Sequence, residues 1–167
     1  MGGRGMSGEN RMRNDIMIDN EIQLISVTIE GQMIGLPITA VRDVFAITRM
    51  TPVPRADRAV AGLVNLRGHI VTILDLGALL GSRSGDRKSK GGDTMAVGVE
   101  WNGEVFGLVV DEIGDVLSLT SDSSEPMPAN MGQTWARYTR RVHKLERDLL
   151  IEVDLQSLLD SMTLQAA

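Results

Sequence analysis

The chain has 167 residues, a net charge of −5 at pH 7, no cysteine, and only two tryptophans, two phenylalanines and one tyrosine. Absence of thiols excludes disulfides, thiolate catalysis and cysteine-ligated metal, and the acidic balance argues against nucleic acid as the main partner, because phosphate binding needs a basic field. No run approaches the roughly 20 apolar residues that span a bilayer, so the reading is a cytoplasmic domain with an aliphatic core.

In chain order, Met1–Asn20 is rich in glycine, arginine and methionine and lacks an apolar signal-peptide segment. It reads as a flexible tail ahead of a domain over 21–162, with a short C-terminal tail at 163–167. Ile25, Val27 and Ile29 alternate with Ser26 and Thr28, the period of a half-buried strand. Glu30-Gly31-Gln32 reads as the hairpin turn that follows. Ser82–Asp93, "SRSGDRKSKGGD", is polar and glycine-rich and reads as a linker. Beyond it, Met95–Trp101 and Val105–Val110 flank Asn102-Gly103, a strong signal for a type I′ turn. Leu155, Leu158, Leu159 and Met162 have helical spacing and would cover a barrel end.

These elements occur twice. Gly31-Gln32-Met33-Ile34-Gly35-Leu36 matches Gly103-Glu104-Val105-Phe106-Gly107-Leu108, and at the same spacing Val41 falls over Ile113, Asp43 over Asp115 and Thr48 over Thr120. A Pro-x-Pro follows each copy, at Pro52/Pro54 and Pro126/Pro128, and each closes on Asp-Leu-x-x-Leu-Leu, from Asp75 and from Asp154. The chain therefore reads as two related halves, about 21–82 and 93–162, joined by 82–93. Short strands and glycine turns predict a mainly β fold of two small five-stranded barrels. Domains of about 60 residues are marginal alone, so the two are expected to pack together and leave an apolar seam.

No catalytic set emerges. Asp75 and Asp154 each precede a helical pattern and read as N-caps. Asp111-Glu112 lacks an oxygen-rich loop pattern and reads as solvated surface. The two histidines, His69 and His143, sit in no metal or nucleophile motif. No metal site, cofactor or nucleotide loop is expected. Arg137, Arg140, Arg141, Lys144 and Arg147 form a basic stretch, read as a solvated strand face or a surface for an acidic partner.

Asn65-Leu66-Arg67-Gly68 breaks the internal symmetry. Setting Asp75 over Asp154 places Gly62 over Arg141, Asn65 over Lys144, Arg67 over Glu146 and Gly68 over Arg147. The strand pattern is shared, but the turn chemistry belongs to the first copy alone. A plain hairpin would use Gly68 for backbone geometry and Asn65 for a backbone bond, with Arg67 in water. The asymmetry points instead to a task given to one copy, with Arg67 as its candidate residue.

Gly62-Leu63-Val64-Asn65-Leu66-Arg67-Gly68-His69-Ile70-Val71 running into Leu74-Asp75-Leu76, with Pro52-Val53-Pro54, Gly107–Asp111 and Val116–Leu119, resembles the signature of the CheW family of chemotaxis coupling proteins. The resemblance covers about residues 22–160. It implies two five-stranded SH3-like barrels around a shared core. It also implies a cytoplasmic adaptor without enzymatic activity, joining chemoreceptor tips to the regulatory domain of the histidine kinase CheA, with membrane association only indirect through the receptors. Matched by motif, the residues lining the receptor groove are Val41, Gly62, Asn65, Arg67 and Ile113. Gly62 would let a receptor helix approach closely, and Arg67 would bind a carboxylate or carbonyl at the rim.

Thr72, where the family favours proline, Gly77, where it favours arginine, and Arg141, where it favours glycine, depart from the pattern. Two other readings stand beside the chemotaxis adaptor. One is an adaptor of another chemosensory pathway. The other is a small enzyme using Asp75, Asp111 and Asp154, which would require a pocket with perturbed carboxylates.

Overall fold

The computed structural model describes residues 21–81 and 94–166. The tail assigned to 1–20 and the linker assigned to 82–93 lie outside the described residues. The strands are β1 (Glu21–Ile29), β2 (Gln32–Pro37), β3 (Val41–Ile47), β4 (Val60–Leu66), β5 (His69–Asp75), β6 (Thr94–Trp101), β7 (Glu104–Val110), β8 (Glu112–Thr120), β9 (Ser124–Glu125), β10 (Thr139–Lys144) and β11 (Leu149–Val153). Three helices, α1 (Leu76–Leu79), α2 (Gln133–Tyr138) and α3 (Leu155–Ala166), cover the ends. The last extends beyond residue 162, so most of the segment read as a C-terminal tail is helix.

Two sheets form, in the orders β8-β1-β2-β11-β10-β9 and β3-β6-β7-β5-β4. The outer strands of the first, β8 and β9, are consecutive in the chain, and in the second Thr51, just past the end of β3, bridges to Leu63 of β4. Closure into small barrels leaves few strand edges open to other chains.

The two copies of the sequence repeat do not each build a barrel. The β1–β2 hairpin of the first copy joins β8–β11 of the second, and the β6–β7 hairpin of the second joins β3–β5 of the first. The exchange creates two parallel contacts, β2 with β11 and β5 with β7, within otherwise antiparallel sheets. Hydrophobic periodicity carries no information on which hairpin pairs with which neighbour, so this interleaving is visible only in three dimensions.

Turn chemistry explains the hairpins. Glu30-Gly31, Arg67-Gly68 and Asn102-Gly103 all have positive φ at both residues, the backbone of a type I′ turn, whose twist matches the strands it joins. The repeated glycines Gly35 and Gly107 have another cause. A methyl at Gly35 would lie 2.7 Å from Leu24 Cδ1, and one at Gly107 would lie 2.6 Å from Ile73 Cδ1. Each occupies a place where a strand meets a packed side chain and no Cβ fits.

One aliphatic core lies between the sheets. Ile25, Val27 and Ile34 from the first meet Leu74, Val97, Leu108 and Val110 from the second, and Leu155, Leu158 and Leu159 of α3 seal it with Met162 packed alongside. Trp101 stacks at a tilt on Phe106 with centroids 5.9 Å apart, and its Nε1–H donates to Asp160 Oδ1 at 2.9 Å, tying the β6–β7 turn to α3. A smaller cluster of Ile47, Val64, Val71, Ile73, Ala96 and Val109 fills the second barrel.

The alternation in β1 reads as one buried and one wet face, but Ser26 is buried as well. It faces the interior of the first barrel, where its hydroxyl donates to the Asp115 carbonyl at 3.0 Å. A strand in a closed barrel packed on a second barrel has both faces covered.

Candidate functional site

The β4–β5 hairpin carries the asymmetric motif on a rigid support. Asn65 Oδ1 accepts the Gly68 N–H at 3.0 Å, fixing the turn from the inside. This is the backbone role that the plain-hairpin reading gives to Asn65. Arg67, at φ 55, is exposed in the left-handed region, where a side chain with a Cβ is disfavoured. Its guanidinium makes no ion pair with any described residue. The equivalent loop of the second copy closes through Leu145 N–H to Asp148 carbonyl at 2.8 Å, with no left-handed residue between.

Beside the turn, Ile70 pairs with Asn65 across the hairpin and is 70% exposed, the most open of the large apolar side chains described. The sequence reading passed over Ile70. In "HIVTIL" every second residue belongs to one face, and Val71 and Ile73 take the inner one, which leaves Ile70 outside; local pattern alone does not say which set points inward.

Gly62 is buried on the same strand. A methyl there would lie 2.5 Å from Met50 Cγ and 2.7 Å from the Thr51 carbonyl oxygen. The close approach that this glycine permits is made by the chain itself, at the crossing where Thr51 bridges to Leu63. The Met50–Thr51 segment thus occupies the space that a Cβ at this residue would take.

Val41 is the first residue of β3 and Ile113 the second of β8, in matching places of the two copies. Val41 pairs with Val99 and Ile113 with Val27, and both are half-buried against the shared core. Three residues farther along the same strands, Val44 and Val116 also match and are more open, at 42% and 50% exposure. The five motif residues thus fall into two groups, the hairpin residues Gly62, Asn65 and Arg67, and the two residues at strand starts, Val41 and Ile113. No recorded hydrogen bond or ion pair joins the groups.

The carboxylates do local work. Asp75 Oδ1 accepts the Ala78 N–H at 3.2 Å and Asp154 Oδ1 accepts the Ser157 N–H at 3.2 Å, so both are N-caps as expected. Asp111 Oδ2 accepts the Glu30 N–H at 2.7 Å, bracing the β1–β2 turn. Among the described residues, no group of three or more histidine, cysteine or acidic side chains could hold a metal ion. A cleft of about 370 Å³ lies beside the start of α3, between Trp101, Arg140, Asp154 and Gln156.

The basic stretch is not one surface. Arg137 belongs to α2, Arg140 lies 3.9 Å from Asp154 Oδ2, and Arg141 lies 3.7 Å from the buried Glu152. Successive residues of β10 point to opposite faces, which splits a run that is continuous in sequence. Among the described residues, no helix is long and apolar enough to cross a membrane.

Comparison with known proteins agrees with this architecture. Residues 23–163 match the family profile described as the CheW-like domain. The chemotaxis protein CheW of Rhizobium meliloti is 28% identical over 145 residues, covering 87% of this chain and 92% of that protein. The chemotaxis protein CheW of Klebsiella aerogenes is 28% identical over 139 residues, covering 83% and 82%. Among solved structures, the scaffolding protein TtCheW from Thermoanaerobacter tengcongensis superposes with a TM-score of 0.68 at 24% identity, covering 82% of this chain and 91% of that one. That likeness establishes the fold, two SH3-like barrels.

Proposed function

The chain belongs to the CheW family, and from that premise we propose that it is a non-enzymatic coupling adaptor in the cytoplasm, linking chemoreceptor tips to the regulatory domain of the histidine kinase CheA. The observation that carries the receptor-binding part is Arg67, an exposed guanidinium held in a disfavoured backbone conformation on a turn already fixed by Asn65 and Gly68. The left-handed backbone is the one its type I′ turn requires, as at Glu30 and Asn102, and the turn gives no reason for the residue there to be an arginine.

In this reading an amphipathic receptor helix lies against the apolar residues Val41 and Ile113, and Arg67 meets a carboxylate or helix-end carbonyl at the rim. Asn65 holds the turn, and Gly62 shapes the strand beneath it without touching the partner. Ile70 supplies apolar area next to the guanidinium. An adaptor of this kind biases the kinase only by contacting its signalling states with different affinity.

The test is Arg67→Glu together with Ile70→Ser, each assayed for receptor co-sedimentation and kinase stimulation. Both exposed substitutions are expected to leave thermal stability within about 0.5 kcal/mol while weakening receptor association. Undiminished coupling by Arg67→Glu in a folded protein would show that the hairpin is not the receptor contact.

A further inference from the structure

The interiors of the two barrels differ in one respect. In the second, Val64 on β4 and Ile73 on β5 are buried apolar residues. In the alignment that places Asp75 over Asp154, His143 on β10 takes the place of Val64 and Glu152 on β11 that of Ile73. The His143 side chain is fully buried and that of Glu152 is 5% exposed, with His143 Nε2 and Glu152 Oε1 2.9 Å apart. On the other side of the ring, Ser123 Oγ lies 2.9 Å from His143 Nδ1. The same hydroxyl donates to the Thr120 carbonyl at 2.8 Å.

The hydrogens in this line can be counted. A carbonyl and a carboxylate only accept, and a serine hydroxyl has one proton to give. If that proton goes to Thr120, Ser123 faces the ring as an acceptor, and Nδ1 must carry hydrogen. A second hydrogen must lie between Nε2 and the Glu152 carboxyl group. Every group is satisfied when the His143–Glu152 pair holds this second proton, as an imidazolium facing a carboxylate or as a neutral ring whose Nε2 accepts from a protonated Glu152. Once the pair loses that proton, the single ring hydrogen on Nε2 faces the carboxylate and leaves two choices for Ser123: it bonds the ring and abandons the Thr120 carbonyl, or it keeps Thr120 and loses the ring.

Stability alone does not account for such a pair. Replacing a buried ion pair by packed apolar groups is often neutral or favourable, and the twin barrel closes around the apolar version. What distinguishes the site is its location. Ser123 sits in the turn between β8 and β9, and β9 joins the barrel through just two residue pairs, Val142 with Glu125 and His143 with Ser124. The strand leading into that turn is β8, which carries Ile113 and Val116.

We infer that the buried Ser123–His143–Glu152 line is a protonation-dependent latch, in which a proton held between His143 and Glu152 keeps the β8–β9 turn on β10 and its loss loosens the closure of the first barrel. The charged and titratable groups around it are few. Arg141 faces Glu152 from β10 at 3.7 Å. Asp122 and Glu125 flank the turn and are exposed, as is Asp115 on β8. From β1 and β2 the interior receives Leu24, Ser26 and Gly35, which carry no charge. The latched state binds the proton, so the latch is complete at low pH and is lost as pH rises and the pair releases it.

The test uses the full chain labelled with ¹⁵N. The protein has two histidines, and exposed His69 serves as the internal reference for buried His143. Long-range ring correlations should show hydrogen on His143 Nδ1 at about pH 6. Over the rise to about pH 9, amide protection of Ser124 and Glu125, corrected for intrinsic exchange, should fall about tenfold while the core of α3 keeps its protection. The double variant His143→Val with Glu152→Ile, which copies the twin barrel, should show β9 protection independent of pH. A His143 Nδ1 without hydrogen at about pH 6, or wild-type β9 protection that does not change across this range, overturns the latch. The wild-type measurements decide the matter even if the double variant fails to fold.

Discussion

Asn65 and Gly68 are joined by a 3.0 Å hydrogen bond from the Gly68 N–H to the Asn65 side-chain oxygen, and that bond fixes the turn on which Arg67 stands. Removing the acceptor in Asn65→Ala is expected to cost about 1 kcal/mol, the usual net worth of one such bond. Asn65→Asp retains an acceptor at the same place and should recover most of the loss. Chemical denaturation of the three proteins checks this. Equal stability of wild type and Asn65→Ala would remove the turn-fixing role.

Arg67 is a position where stability and binding are expected to diverge. Its φ of 55 is shared by Asn102, φ 50, in the equivalent position of the β6–β7 turn, and asparagine tolerates that region far better than arginine. Arg67→Asn therefore makes the turn resemble its neighbour and should stabilise the fold by about 0.5–1 kcal/mol. Receptor association should weaken in the same variant. Paired measurements of unfolding free energy and receptor co-sedimentation test the prediction, which fails if both properties move in the same direction.

Much of the architecture was legible in the sequence because local chemistry decides it. Asn102-Gly103 demands a tight hairpin, Asp75 and Asp154 announce helix starts, and the spacing of Leu155, Leu158 and Leu159 describes the buried face of α3. The exchange of hairpins between copies was not legible, since the pairing of β2 with β11 depends on surfaces far apart in the chain. Nor was the His143–Glu152 pair, because a histidine and a glutamate nine residues apart share an interior only once β10 and β11 are in register. At the site, family resemblance identified the hairpin, but the covering of Gly62 by Met50 and the exposure of Ile70 are facts of packing.

Gly62→Ala separates a structural role from a contact role. The added methyl would press on Met50 Cγ and on the Thr51 carbonyl, and the latter is backbone with little freedom to yield. Overpacking of this kind typically costs about 1–3 kcal/mol. The variant should unfold at lower denaturant concentration yet bind receptors with unchanged affinity wherever it remains folded. Lost binding in a variant of wild-type stability would return Gly62 to the receptor contact.

The hairpin exchange makes a prediction about the chain as a whole. A fragment of residues 1–81 contains β1–β5 but lacks β6 and β7 for the second sheet and β8–β11 for the first. A fragment of residues 94–167 lacks the complementary strands. Neither can complete a barrel, and the core between the sheets draws residues from both. Each fragment alone is expected to remain largely unfolded, because about 60–75 residues without a closed core cannot offset the entropy of ordering. Mixed at equal concentration, they should assemble into a 1:1 complex with the circular dichroism of the intact protein, since the parallel pairings β2–β11 and β5–β7 need no covalent link between the fragments. Size-exclusion chromatography and far-ultraviolet spectra of the separate and mixed fragments provide the measurement. A fragment that folds cooperatively by itself would mean that the sequence halves, and not the interleaved sheets, are the units of folding.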